Sequence, residues 1–128
     1  QLEIAAEERP PVFAFFPTIS THAPFTPAPP YQPDWARVLT KDPYDAEALT
    51  RAYDDPPDWT NLTPSYAQAL NYANTVFAGY LRYRPDRDLV VLLIGDHQPA
   101  AFVSGEGASW DVPVHVITAR SAVVSMIS

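Results

Sequence analysis

The apolar residues of this chain fall into short continuous runs and one long periodic stretch. The densest run lies in DLVVLLIGDHQPA, residues 88–100, where Leu89 to Ile94 are all apolar and lead into Gly95. A run without alternation predicts a strand covered on both faces. VFAFF, residues 12–16, reads the same way between Pro10-Pro11 and Pro17. PVHVIT, residues 113–118, predicts a third strand, and SAVVSMIS at the end of the chain an edge strand or a frayed tail. Tyr66, Leu70, Ala73, Phe77 and Tyr80/Leu81 step by four and three, one apolar face of a helix about five turns long. Thr63 suits its N-cap and Pro64 its first turn, while Arg82 and Arg84 suit the C-terminal end and Pro85 stops it. A shorter helix is predicted over 45–53, DAEALTRAY, with Asp45 as its cap.

Strand, long crossover with a helix, then strand is the order of a parallel pair in an α/β sheet. The expected fold class is therefore α/β: part of a mainly parallel sheet with flanking helices and a long proline-rich crossover. Both strands of such a pair end at one sheet edge, where α/β proteins bind ligands. PTISTHAPF, residues 17–25, follows the first strand and GDHQPA, residues 95–100, the second. His22, Asp96 and His97 are thus expected to approach one another.

Composition changes this picture in two places. Fifteen prolines in 128 residues, many between 17 and 63, leave room for few regular elements there and mark 24–59 as a proline- and aromatic-rich insertion within one domain spanning 1–128. A net charge of −7 argues against nucleic acid or an anionic membrane surface as partner. Arg82, Arg84 and Arg87 read as a helix-end cluster, not a phosphate patch. There is no cysteine, so no disulfide framework or thiolate chemistry, and no apolar run reaches the roughly 18 residues of a membrane span.

Neighbouring residues of a regular strand point to opposite faces, so Asp96 and His97 can share a metal only if the chain leaves strand geometry; Gly95 and Pro99 favour that. Carboxylate plus imidazole suits zinc, manganese or a similar divalent ion. The competing reading is an aspartate capping loop amides beside a hydrogen-bonded histidine. His22, in THAPF, reads either as a donor to an anionic oxygen or as a loop histidine packed against Phe25. His115 reads as a satisfied structural histidine, and Ser104-Gly105-Glu106-Gly107 as a backbone turn. A serine hydrolase is excluded for want of a G-x-S-x-G elbow. Tyr31, Trp35, Tyr44, Tyr53 and Trp59 pin the insertion to the core or present a recognition surface.

FAFFPTISTHAPF, then LVVLLIGDHQPA, then EGASWDVPVHVI resembles the C-terminal half of sulfatase-like enzymes of the alkaline-phosphatase superfamily, in the branch of lipoteichoic-acid synthases and phosphoethanolamine transferases. The resemblance spans roughly residues 10–120. It implies that Asp96 and His97 ligate a catalytic divalent metal (Mn, Zn, Mg or Ca) and that His22 contacts the substrate's phosphate or sulfate. Val112-Pro113-Val114 matches the stretch returning to the sheet. It also implies an extracytoplasmic (periplasmic) domain of a membrane-anchored parent. The family's nucleophile and first acidic ligands lie upstream of such a stretch, and residues 1–11 contain no substitute for them. The expected function is the C-terminal portion of a metal-dependent phosphoryl- or sulfuryl-transfer enzyme acting on an ester substrate, inactive without the upstream part of its protein. The alternative is a non-catalytic extracytoplasmic binding module on a degenerate α/β scaffold, using residues 24–59.

Overall fold

Helix α3, Thr63–Tyr83, is the spine of the computed structural model, which describes residues 10–83, 85 and 87–127. Its element order is α1 (Trp35–Val38), α2 (Ala46–Tyr53), α3, β1 (Val90–Ile94), α4 (Ala101–Ser104), β2 (Val114–Thr118) and α5 (Ser121–Ile127). The fold is mixed α/β, with five helices and a two-stranded sheet among the described residues.

Local chemistry explains the helix starts. The Asp45 carboxylate accepts from Ala48 N–H at 2.9 Å and caps α2 where the sequence placed it. Asp34 does the same for α1, accepting from Ala36 N–H at 2.9 Å. On α3 the cap differs from expectation. Thr63 is already helical, the Leu62 carbonyl accepts from Tyr66 N–H at 2.9 Å, and Asn61 Oδ1 accepts from Thr63 N–H at 3.3 Å. Leu62 can then turn inward, where it is buried.

The inward face of α3 closes a small core: Phe25, Leu62 and Ala69 are buried, with Tyr66 and Val103 packed against them. Further along, Gly79 admits the insertion, since a Cβ there would overlap the Tyr31 hydroxyl oxygen. Trp35 stacks on Tyr83 and tilts against Tyr80, both at 5.8 Å between centroids. Half-burial, with Tyr44 alongside, pushes the Tyr72 phenol up to about 12. Tyr31, Trp35 and Tyr44 therefore pin residues 24–59 to α3, whereas Tyr53 and Trp59 remain exposed.

Three expectations about strands change. VFAFF at 12–16 is not a strand: it pairs with nothing among the described residues, and Phe13 and Phe16 are 91% and 84% exposed. A strand exists only with a neighbour to take its backbone hydrogen bonds, and no described strand lies against this segment. The parallel pair expected between 12–16 and 89–94 is accordingly not formed. Instead β1 pairs antiparallel with β2, Val90 opposite Thr118 and Ile94 opposite Val114. Finally, residues 121–127 form helix α5 and not an edge strand.

The sheet face carrying Val90, Leu92, Ile94 and Val114 is exposed. The 89–94 run was expected to be covered on both faces, and among the described residues β1 is covered at most in part. The chain exposes 10539 Å², against about 6,800 Å² for a compact protein of its 14.2 kDa mass. The described residues hold no helix long and apolar enough to cross a membrane.

Candidate functional site

The β1–β2 register continues beyond the strands and governs the geometry of the site. Carried outward at one end it sets Asp88 opposite Arg120, which donates to both carboxylate oxygens, Nε to Oδ1 at 2.6 Å and Nη2 to Oδ2 at 2.5 Å. The guanidinium holds the Asp88 carboxyl below its ordinary range, chiefly through these hydrogen bonds. At the other end it sets Gly95 opposite Pro113, and Gly95 N–H donates to the Pro113 carbonyl at 3.0 Å. The backbones run close there: a Cβ on Gly95 would lie 3.1 Å from Pro113 Cδ.

Past Gly95 the chain leaves strand geometry. Asp96 Oδ1 accepts from His97 N–H at 3.0 Å, and Asp96 Oδ2 comes to 3.6 Å from His97 Nε2. Neighbours that would diverge on a strand thus bring a carboxylate oxygen and a ring nitrogen together. His97 Nδ1 lies 2.7 Å from the Gln98 carbonyl. A carbonyl only accepts, so this contact needs a proton on Nδ1, while Nε2 faces a second acceptor, the Asp96 carboxylate. Both side chains are exposed, 71% and 90%.

These dimensions suit a divalent ion held between the two atoms. Ligands about 2.05 Å from a tetrahedral ion stand about 3.3 Å apart, so the pair need close by only a few tenths of an ångström. Two protein ligands fall short of the three or four such an ion takes. Among the described residues no group of three or more His, Cys, Asp or Glu side chains is placed to hold a metal. His22, Asp96 and His97 are therefore not assembled into one such cluster here.

His22 lies in a turn closed by Phe25 N–H donating to the His22 carbonyl at 2.8 Å. Its Nδ1 is 2.9 Å from the Ala23 carbonyl and so bears a proton, leaving Nε2 exposed. To donate toward an anion from Nε2 the ring must be imidazolium, which adds a full positive charge. Phe25 has φ 69°, a left-handed backbone that a bulky residue adopts only under constraint. Its buried ring, edge-on to Tyr66 at 5.1 Å between centroids, supplies the constraint.

Phe25 follows closely on His22, and Val103 belongs to α4, which follows the Asp96-His97 turn; both pack into the same cluster with Leu62, Tyr66 and Ala69. The two turns are thus anchored to one part of the core.

Other residues fall outside this arrangement. His115 is exposed opposite Leu93, on the sheet face away from Val90, Leu92 and Ile94, with no hydrogen bond among the described residues, unlike the satisfied histidine expected. Ser104 Oγ donates to the Pro99 carbonyl at 3.0 Å and Gly105 has φ 83°, so Ser104–Gly107 begins as the end of α4 and continues as a turn. A groove of about 690 Å³ between Pro29, Tyr31, Asp55 and Tyr72 touches none of the three site residues. Sequence reasoning missed Gln98, whose side-chain amide donates to the Asp111 carbonyl. Its place beside the histidine was the only available signal. No known family, curated protein or solved structure matches this chain.

Proposed function

We propose that this chain is the C-terminal portion of a metal-dependent phosphoryl- or sulfuryl-transfer enzyme of the sulfatase-like type, its sheet completed in parallel by the upstream part of the same extracytoplasmic, membrane-anchored protein. One observation carries the reading most: an aspartate oxygen and an imidazole nitrogen, 3.6 Å apart, lie exposed past a strand end. The common anchoring of the His22 turn and the α4 segment supports it.

In this reading Asp96 and His97 bind one side of the ion, and His22, as imidazolium, holds the anionic oxygens of the ester. The ion, when bound, supplies Lewis-acid stabilisation of charge on the transferring group. The nucleophile and remaining ligands come from upstream residues. The bare sheet face of Val90, Leu92, Ile94 and Val114 fits a surface meant to be covered by them.

The test is hydrolysis of a phosphate monoester and a sulfate monoester by the intact gene product and by the 128-residue chain. The chain alone should stay at background; the intact product should turn over one ester, and Asp96→Ala should abolish it. Turnover by the chain alone overturns the division of labour. A second reading, a binding module, is favoured by the exposure of Trp59 and Tyr53, 71% and 72%. It predicts that Trp59→Ala abolishes partner capture while Asp96→Ala is silent.

A further inference from the structure

We propose that the groove between the proline-rich wall 28–31, the end of α2 and the middle of α3 docks an extended, arginine-bearing segment of a partner protein. This goes beyond the metal reading and draws on none of its residues.

The groove is braced. Thr26 Oγ1 donates to the Asp55 carbonyl at 2.8 Å, and the Gln32 side-chain amide donates to the Pro43 carbonyl, so the wall is tied to the chain before and after α2. Its floor is one stripe of α3: Gln68, Asn71, Tyr72 and Thr75. That stretch of helix rises about 10 Å, the length of about three extended residues. Gln68 and Asn71 are exposed, and their side-chain amides have no hydrogen bond among the described residues. An amide offers a donor and an acceptor together, the pair an extended main chain needs. Tyr31 and Tyr72, both half-buried, line the groove beside them.

Charge names the partner. Residues 42–58 hold six acids against one base, Arg51, and so carry most of the −7 net charge. Asp45 and Asp58 accept from main-chain N–H groups, and Glu47 pairs with Arg51 at 2.8 Å. Asp54 and Asp55 line the groove, and among the described residues their carboxylates have no partner. They follow the last residue of α2, where the helix dipole opposes negative charge, so they give the fold no electrostatic support. Two spare carboxylates beside tyrosine rings suit a guanidinium, which grips carboxylate oxygens as a fork and stacks on an aromatic face.

The experiment is fluorescence anisotropy of the intact gene product with labelled Gly-Arg-Gly-Arg-Gly, and with the same peptide carrying neutral citrulline for arginine. The arginine peptide should bind, less tightly as salt is added, and the citrulline peptide about tenfold more weakly. Asp54→Asn with Asp55→Asn should weaken arginine-peptide binding about tenfold while the denaturation midpoint holds or rises. Asn71→Leu, at an exposed helix position, should weaken it about fivefold. Asp42→Asn with Glu106→Gln removes the same charge outside the groove and should change affinity by less than about twofold. Equal binding of the citrulline peptide, equal weakening by the Asp42 and Glu106 changes, or a lowered midpoint in the Asp54 and Asp55 variant overturns the proposal. So does free arginine amide binding as tightly as the peptide, which would make the groove a small-molecule site.

Discussion

Removing the Phe25 ring should both destabilise the chain and loosen the His22 turn from α4. Phe25 is 5% exposed and is the largest side chain in a buried set of three with Leu62 and Ala69. A buried Phe→Ala change costs about 3–5 kcal/mol. The lower end applies, because the cluster is small and partly open and can collapse around the loss. Of this, about 1 kcal/mol belongs to the edge-on contact with Tyr66. Phe25→Leu should therefore cost only about 1–2 kcal/mol and remain folded. A domain has about 5–15 kcal/mol in all, and a chain with so little buried apolar surface stands low in that range. Urea denaturation followed by tyrosine and tryptophan fluorescence measures the cost. Combining Phe25→Leu with Val103→Ala measures the link between the turns, with an expected coupling of about 0.5 kcal/mol or more. A cost below about 0.5 kcal/mol for Phe25→Leu, or strict additivity with Val103→Ala, would refute the claim that one cluster anchors both turns.

Gly79→Ala should destabilise by about 1–3 kcal/mol despite a gain in helix propensity of about 1 kcal/mol, because the new Cβ meets the Tyr31 hydroxyl; Tyr31→Phe in the same chain should recover part of the loss. Asp88, its carboxyl held low by Arg120, contributes stability above its unfolded-state value near 3.8 and loses it as pH falls through the lower folded value. Asp88→Asn should therefore be mildly destabilising at neutral pH and indistinguishable from wild type in strong acid, as read by denaturation at each pH. Spectrophotometric titration should show the Tyr72 phenol ionising late, near 12, and Tyr44→Phe should move it earlier.

Much of this architecture could be read from residue order, and the failures share a cause. Helix α3 announced itself because its apolar spacing, Pro64 and Pro85 all agree, and Asp45 marked α2 by the same local logic. Asp34 before Trp35 offered a comparable signal for α1, which at four residues is too short for periodicity to register. VFAFF and SAVVSMIS are different. A short apolar run states that it needs cover, not what covers it, and strand or helix is decided by neighbours. The former has no pairing partner among the described residues, and the latter becomes α5. The same limit applies to the site. Asp96, His97 and His22 stood out by residue type and by position after apolar runs. The register that joins Gln98 to Asp111, and the cluster that joins Phe25 to Val103, are long-range facts with no local signature.

The central claim is that Asp96 and His97 hold a metal in the complete protein. The direct measurement is metal content by mass spectrometry of the intact gene product, wild type against Asp96→Ala, His97→Ala and His22→Ala. Bound divalent metal is expected in the wild type, lost in the Asp96 and His97 variants, and retained with impaired turnover in the His22 variant. Metal content unchanged by both Asp96→Ala and His97→Ala would contradict it.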